Sequence, residues 1–192
     1  MSKPRVFDPA RRRRLNSSER RKRLPPHKIL SEIGLKPGDT FVDIGCGTGF
    51  FTLPAALRVG PSGKAIGIDI SPEMISDLIL SASQKKLANI RALLSPPSKP
   101  RLPRGATFYF IANVLHEVPN KLALLCAVRR SGHRRSKLVL IDFYRKKTKH
   151  GPPLKERIPL KKAVSLIRRA GFRPARSWRV NTEEYGLIAI PK

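Results

Sequence analysis

The sequence predicts an α/β fold: a seven-stranded sheet, mostly parallel with an antiparallel last strand, and helices on both faces. Three observations predict it. Strand-like runs alternate with helix-like segments, and the runs are almost continuously apolar, as strands covered on both faces must be. A glycine-rich turn, Gly45 to Gly49, leads from the first such strand into a helix. The chain closes on two strand-like runs joined by a short turn, which makes that pair antiparallel.

The elements follow in order. Residues 1–23 are polar and basic and read as a partly flexible N-terminal arm, and residues 24–192 as a single domain. Leu24-Pro25-Pro26 is a stiff break. His27 to Ile33 suits a short helix ended by Gly34, and Lys36-Pro37-Gly38-Asp39 is a turn. Thr40 to Ile44 is the first strand, Phe50 to Val59 a helix interrupted by Pro54, and Lys64 to Asp69 the second strand. Ser71-Pro72-Glu73 places Ser at the cap and Pro at the first helical position of a helix running to about Lys86. Ile90 to Leu94 is a short third strand. Four prolines, at 96, 97, 100 and 103, argue against a helix between it and the fourth strand, Thr107 to Ala112. Asn120 to Arg130 is helical, Lys137 to Phe143 is the fifth strand, and Leu160 to Ala170 is a helix stopped by Gly171. Arg173 to Val180 and Tyr185 to Ile190 are the closing strands, turned at Asn181-Thr182.

Composition sets limits. The chain has 192 residues and a net charge of +27, with 40 Lys and Arg against 13 Asp and Glu. That length suits one domain, and 40% hydrophobic residues suffice for a core. Two cysteines exclude a disulfide scaffold or a Cys-rich zinc module, and no metal site is expected. No run is long enough to span a membrane, and the basic N-terminus lacks an apolar signal core, so the expected location is cytoplasmic. The charge is uneven. Residues 1–30 carry +9, residues 31–95 balance to zero and residues 96–192 carry +18. The densest run is Arg11-Arg12-Arg13-Arg14. Such flanks suit a solvated surface or a phosphate-binding one.

The chemistry resides in Val42-Asp43-Ile44-Gly45-Cys46-Gly47-Thr48-Gly49, which ends a strand and opens a helix. The glycines allow a tight turn and close ligand approach, and a helix N-terminus favours a negative group. Asp69 ends the next strand, where a carboxylate can accept both ribose hydroxyl protons. A nicotinamide fingerprint has two residues between its second and third glycines, whereas this chain has only Thr48.

Asp-Ile-Gly-Cys-Gly-Thr-Gly resembles motif I of the class I S-adenosylmethionine-dependent methyltransferases. Gly67-Ile68-Asp69-Ile70-Ser71-Pro72-Glu73-Met74 resembles their second motif, and Val114-Leu115-His116-Glu117-Val118 the segment after their fourth strand. The resemblance covers roughly residues 24–192 and implies a Rossmann-like sheet with S-adenosyl-L-methionine as the cofactor. By position it implies that Asp43, Gly45, Cys46, Gly47, Thr48 and Gly49 face the methionine portion. It implies that Asp69 holds the ribose with Ile70 against the adenine, and that Asn113 lies near the amino group and the transferred methyl. Two features depart from the family. Leu94-Ser95 stand where an acid often bonds the adenine amino group, with Leu94 left as the cofactor contact there. Ala106-Thr107-Phe108 lacks the Asp often found early in the fourth strand.

The catalytic group is not fixed by this reading. His116, Glu117 and Tyr144 are candidates for positioning or deprotonating an acceptor, with loop capping and packing as the alternative. Asp142 is a strand-end polar residue or an acceptor contact. Cys126 lies among Leu124, Leu125 and Ala127 as a core thiol does, and Cys46 lies in the donor loop, so neither reads as a nucleophile. Ser95-Pro96-Pro97-Ser98 lacks the aromatic of an amino-methylating motif and reads as a loop. The resemblance thus implies an enzyme transferring a methyl group directly to an acceptor, with RNA or a ribosomal component suggested by the basic flanks. The alternative is a non-catalytic nucleic-acid-binding protein on a degenerate methyltransferase fold.

Overall fold

The computed structural model describes residues 16–96 and 100–192. Seven strands form one sheet: β1 (Thr40–Ile44), β2 (Lys64–Asp69), β3 (Ile90–Leu94), β4 (Phe108–Ala112), β5 (Lys137–Phe143), β6 (Phe172–Arg179) and β7 (Glu184–Pro191). Their order is β3-β2-β1-β4-β5-β7-β6. Strands β1 to β5 pair in parallel, and β7 runs antiparallel to both of its neighbours, β5 and β6. The sheet predicted from the sequence is therefore the sheet observed.

Side-chain alternation along the strands fills two layers. On one face Val42, Ile66 and Ile111 pack with Leu124, Leu125 and Val128 of α5 (Lys121–Ser131) and Ala163 and Ile167 of α6 (Leu160–Arg169). On the other, Phe41, Ala65 and Phe108 meet Ile29 and Leu30 of α2 (Pro26–Glu32) and Ala55, Ala56 and Val59 of α3 (Thr52–Val59). Ile75, Leu78 and Ala82 of α4 (Pro72–Gln84) pack there against Cys46 and Leu53. A Cβ on Gly67 would lie 2.5 Å from Leu78 Cδ2, so a side chain at that point of β2 would push α4 off the sheet.

Several boundaries differ for physical reasons. Helix α3 starts at Thr52 rather than Phe50, because the glycine turn continues through Phe51. Pro54 then falls in the first turn, where its missing N–H has no intrahelical partner to lose, so it does not break the helix. Helix α4 ends at Gln84 rather than near Lys86, whose φ of 54° leaves the helical region. Within the arm, Ser18–Arg23 forms helix α1, capped by Ser17, whose Oγ accepts from Arg20 N at 3.2 Å. The Arg11–Arg14 run and the expected flexibility of residues 1–15 lie outside the described residues, as does part of the Ser95–Ser98 segment.

The described part of the β3–β4 connection contains no helix, as its prolines predict. Ser95 Oγ accepts from Arg101 N at 3.0 Å and Tyr109 donates to Pro103 O at 2.7 Å, which ties this loop to the sheet. A 3-10 turn, Leu115–Glu117, follows β4; at three residues it is too short to carry a periodic signal.

Candidate active site

Strand β1 connects onward to β2 on one side of the sheet, and its other neighbour, β4, leads to β5 on the opposite side. The chain thus switches direction between β1 and β4, which opens a crevice at their carboxyl ends. The motif residues Asp43, Gly45 to Gly49, Asp69, Ile70, Leu94, Asn113, His116, Glu117 and Tyr144 all lie at or just beyond the carboxyl ends of β1 to β5.

The glycine loop is fixed by its own backbone. Gly45 N and Cys46 N both donate to Ile68 O, at 2.7 and 3.0 Å, which ties the loop to the end of β2. Gly45 has φ 74°, and a Cβ there would sit 2.4 Å from Val114 Cγ2. Only glycine meets both demands. Asp69 is equally constrained. Its Oδ2 accepts from Gly47 N at 2.8 Å and its Oδ1 from Ser71 N at 3.1 Å. Each oxygen retains a lone pair for a further donor.

Asp43 is buried at 2% exposure and accepts from Thr52 Oγ1 at 2.7 Å. Burial pushes its carboxyl up to about 7, against the opposing Thr52 hydrogen bond, and the nearby Asp69 charge adds to the rise. The Cys46 thiol donates to Gly47 O at 3.4 Å. Burial, reinforced by Asp43 and Asp69, raises its pKa, so it is an unreactive thiol rather than a nucleophile. Both cysteines are free. Thr48 is buried, and its Oγ1 accepts from Asn16 Nδ2 at 3.0 Å. Ile70 and Leu94 are 39% and 53% exposed, leaving two apolar side chains in solvent at adjacent strand ends.

Asn113 adopts φ 59°, a left-handed conformation that Asn tolerates better than most residues. Its Nδ2 donates to Glu184 Oε1 at 2.6 Å, while its Oδ1 is buried without a partner. Glu184 is fully buried. It also accepts from Asn181 Nδ2 at 2.6 Å and pairs with Arg23 at the end of α1. Arg20, one turn earlier, places its guanidinium 4.2 Å over the Phe50 ring. Burial and the nearby Arg23 lower its pKa to about 10, opposed by Glu184 and Asp43. Glu19 bonds Lys149 at 2.8 Å and His150 at 3.0 Å, and His150 reaches Glu183 at 2.8 Å. Helix α1 is thereby clasped over the glycine loop.

Beyond Asn113, His116 Nδ1 lies 2.8 Å from Asp142 Oδ1, which also accepts from Phe143 N at 2.8 Å. Both side chains are buried. Burial alone would lower the His116 pKa, but the hydrogen bond and charge of Asp142, with Glu117 and Glu156, carry it above its ordinary value. Glu117 Oε1 is 3.7 Å from His116 Nε2. Tyr144 is half-buried and packs edge-on against Tyr185 at 5.4 Å. Among the described residues no cluster of His, Cys, Asp or Glu has the geometry to hold a metal, and no helix is long and apolar enough to cross a membrane.

Sequence reasoning missed Asn16, Arg20, Thr52 and Glu184. Asn16 and Arg20 lie in a stretch read only as a basic arm; the Ser17 cap ahead of it was the one signal for a helix. Glu184 follows Asn113 by 71 residues, and no local pattern links them.

A family model described as a methyltransferase domain matches residues 35–164, and the chain belongs to that family. A solved S-adenosylmethionine-dependent methyltransferase from Aquifex aeolicus is 30% identical, with a TM-score of 0.92 over 97% of this chain and 100% of the other. Nocamycin O-methyltransferase of Saccharothrix syringae is 34% identical over 79 residues, 41% of this chain and 28% of that protein. A 2-phytyl-1,4-naphtoquinone methyltransferase of Nostoc sp. is 30% identical over 132 residues, 64% of this chain and 56% of that protein. The chain therefore matches only part of the length of these two relatives. It is an S-adenosylmethionine-dependent methyltransferase.

Proposed function

We propose that the crevice at the ends of β1, β2 and β4 holds S-adenosylmethionine and presents its methyl group toward His116. The unpartnered Asn113 Oδ1 carries this reading: a buried acceptor without a donor is costly, and an ammonium group beside it removes the cost. Asp69 accepts from the ribose hydroxyls through its remaining lone pairs. Ile70 and Leu94 flank the adenine and lose their solvent exposure against it. Leu94 makes an apolar contact where relatives often hold an acid, so the adenine amino group is bonded less firmly. Gly45 to Gly49, with Cys46 and Thr48 between, wrap the methionine portion beside Asp43. Arg20, held over Phe50, faces the carboxylate of the donor.

His116 is the acceptor's general base in this reading, and Asp142 is its positioning residue. Asp142 holds Nδ1, leaving Nε2 to take a proton from an acceptor hydroxyl as that oxygen attacks the methyl carbon. The donor, when bound, would supply a methyl on a sulfonium that departs as a neutral thioether, so no residue here would have to act as an acid. Glu117 raises the basicity of the imidazole, and Tyr144 lines the entrance. The first acceptor reading is a small molecule bearing a hydroxyl, in keeping with the O-methylation in the name of the nocamycin relative. The two cysteines, both unpaired, suit a reducing, cytoplasmic setting.

One observation favours a second acceptor reading, RNA or a ribosomal component. Lys161 and Lys162 are exposed at the start of α6, just after Ile158, whose carbonyl accepts from Tyr185 Oη at 2.9 Å, and Tyr185 pairs with Asp142 across the sheet. Arg145, Lys146 and Lys147 are exposed just past β5. Family membership and the organised donor crevice support either enzyme over a non-catalytic nucleic-acid binder. Transfer of radiolabelled methyl from the donor to fractionated cell extract decides the acceptor. Label in small molecules supports the first reading, label in RNA the second, and label in neither pool overturns both.

A further inference from the structure

Helices α5 and α6 pack side by side on one face, and β6 forms the sheet edge beside α6. These three elements carry ten Lys and Arg and no Asp or Glu. On α4, which covers the opposite face, Glu73 and Asp77 interrupt any such field. The surface of α6 is the most uniform part. Its exposed positions are Lys161, Lys162, Ser165, Arg168 and Arg169, while Ala163 and Ile167 point into the core. None of these four cations has a carboxylate partner among the described residues, unlike Arg176, which pairs with Glu32 at 2.7 Å.

We infer that the α6 face is a docking surface for the phosphate backbone of a nucleic-acid strand. Like charges gathered without counter-charges repel one another, and an external polyanion relieves that repulsion while releasing its own counterions. Lys161 to Arg169 spans about 12 Å of helix, the reach of about three to four phosphates along one strand. A lipid surface fits less well. Amphipathic membrane helices insert apolar side chains, and those of α6 are already spent on the core. The three most exposed large apolar residues, Leu57, Ile79 and Leu80, lie on α3 and α4 instead. The Lys161 end of α6 begins just after Ile158, whose carbonyl bonds Tyr185 opposite Asp142, so a bound strand runs toward His116. The inference builds on the RNA-acceptor reading above, but its test reads binding without turnover.

The test is fluorescence anisotropy of a labelled, mixed-sequence RNA of roughly 20 nucleotides, titrated with the full chain across a salt series. A Lys161→Glu/Arg168→Glu variant is compared with a Lys64→Glu/Lys85→Glu control, which makes the same charge change at exposed positions away from α6. The α6 variant is expected to bind at least about tenfold more weakly, with the log–log salt slope shallower by about 1.4, and the control to stay within about threefold. No binding by the wild type at low salt, equal losses in both variants, or tighter binding to phosphatidylglycerol vesicles than to RNA would each overturn the surface. A thermal shift with S-adenosylhomocysteine, run on all three proteins, confirms that they fold. It also separates the two ideas: loss of that shift in the wild type defeats the donor site, whereas loss of RNA binding alone defeats only the α6 surface.

Discussion

The side-chain amide of Asn113 donates to the buried carboxylate of Glu184 at 2.6 Å, and Arg23 of α1 pairs with the same carboxylate. One buried anion therefore joins the end of β4, the start of β7 and the segment clasped over the glycine loop. It also fixes which way the Asn113 amide points, leaving the buried Oδ1 without a donor.

Replacing Glu184 by Gln removes the nearer of the two carboxylates that Arg23 pairs with and leaves it only Glu183, at 3.8 Å. Breaking one side of a buried pair costs about 3–5 kcal/mol, and the remaining Glu183 charge brings the loss toward the lower end. Chemical denaturation of Glu184→Gln is expected to show a loss in that range; a variant as stable as the wild type would show that the pair holds nothing together.

With the donor placed as proposed, Asp69→Ala deletes both ribose acceptors together with the bonds to Gly47 N and Ser71 N, while the buried core keeps its packing. Charged hydrogen bonds contribute about 1.5–3 kcal/mol each, so affinity for S-adenosylhomocysteine should drop by roughly 100-fold or more. Calorimetry measures the affinity, and an unchanged circular dichroism spectrum confirms the fold. Retained affinity would place the donor elsewhere.

The hydrogen bond and charge of Asp142 carry the His116 pKa above its ordinary value, so its proton is lost, and the base formed, only as pH rises past that value. The methylation rate should therefore climb with pH through an inflection above about 6.5. His116→Gln should lower the rate by about 10²- to 10⁴-fold and flatten the profile. A purely structural His116 would leave the inflection in place. The same shift has a stability consequence. Protonated His116 beside Asp142 stabilises the fold fully below the unfolded value, and this is lost as pH rises through the raised folded value. The stability advantage of the wild type over His116→Gln should shrink over that range.

Asp43 behaves in the same direction for the opposite chemical reason. Its folded value of about 7 lies above its ordinary value of 3.8, because burial disfavours the anion. The protonated carboxyl is fully tolerated below that ordinary value, and the fold loses stability as pH rises from there through about 7. Asp43→Asn, which keeps the shape without the charge, should gain on the wild type between these limits and hold a constant advantage above them. Urea titrations across pH measure this, and parallel pH profiles would refute it.

The sheet was legible because its signals are local. Apolar runs such as Leu138 to Ile141, the Ser71-Pro72 cap and the glycine turn each follow from a few adjacent residues. The glycine loop was legible for the same reason, since Gly45 to Gly49 and Asp69 are fixed by turn geometry and strand register. Arg20 was not, because a basic helix capped by Ser17 looks like any solvated arm until Phe50 lies beneath it. Nor was the bond between His116 and Asp142. Each residue stood out alone, but their pairing depends on β4 and β5 being neighbours.

The sequence by itself determined the class of sheet, the position of the glycine loop and the uneven charge, all properties of residues near one another in the chain. The tertiary structure decided what surrounds the crevice. It buried Glu184 beneath Arg23 and Asn113, drew His116 to Asp142, and set the cations of α6 on a face without carboxylates. Those outcomes depend on strand order and helix packing, which bring together residues that nothing in the linear pattern connects.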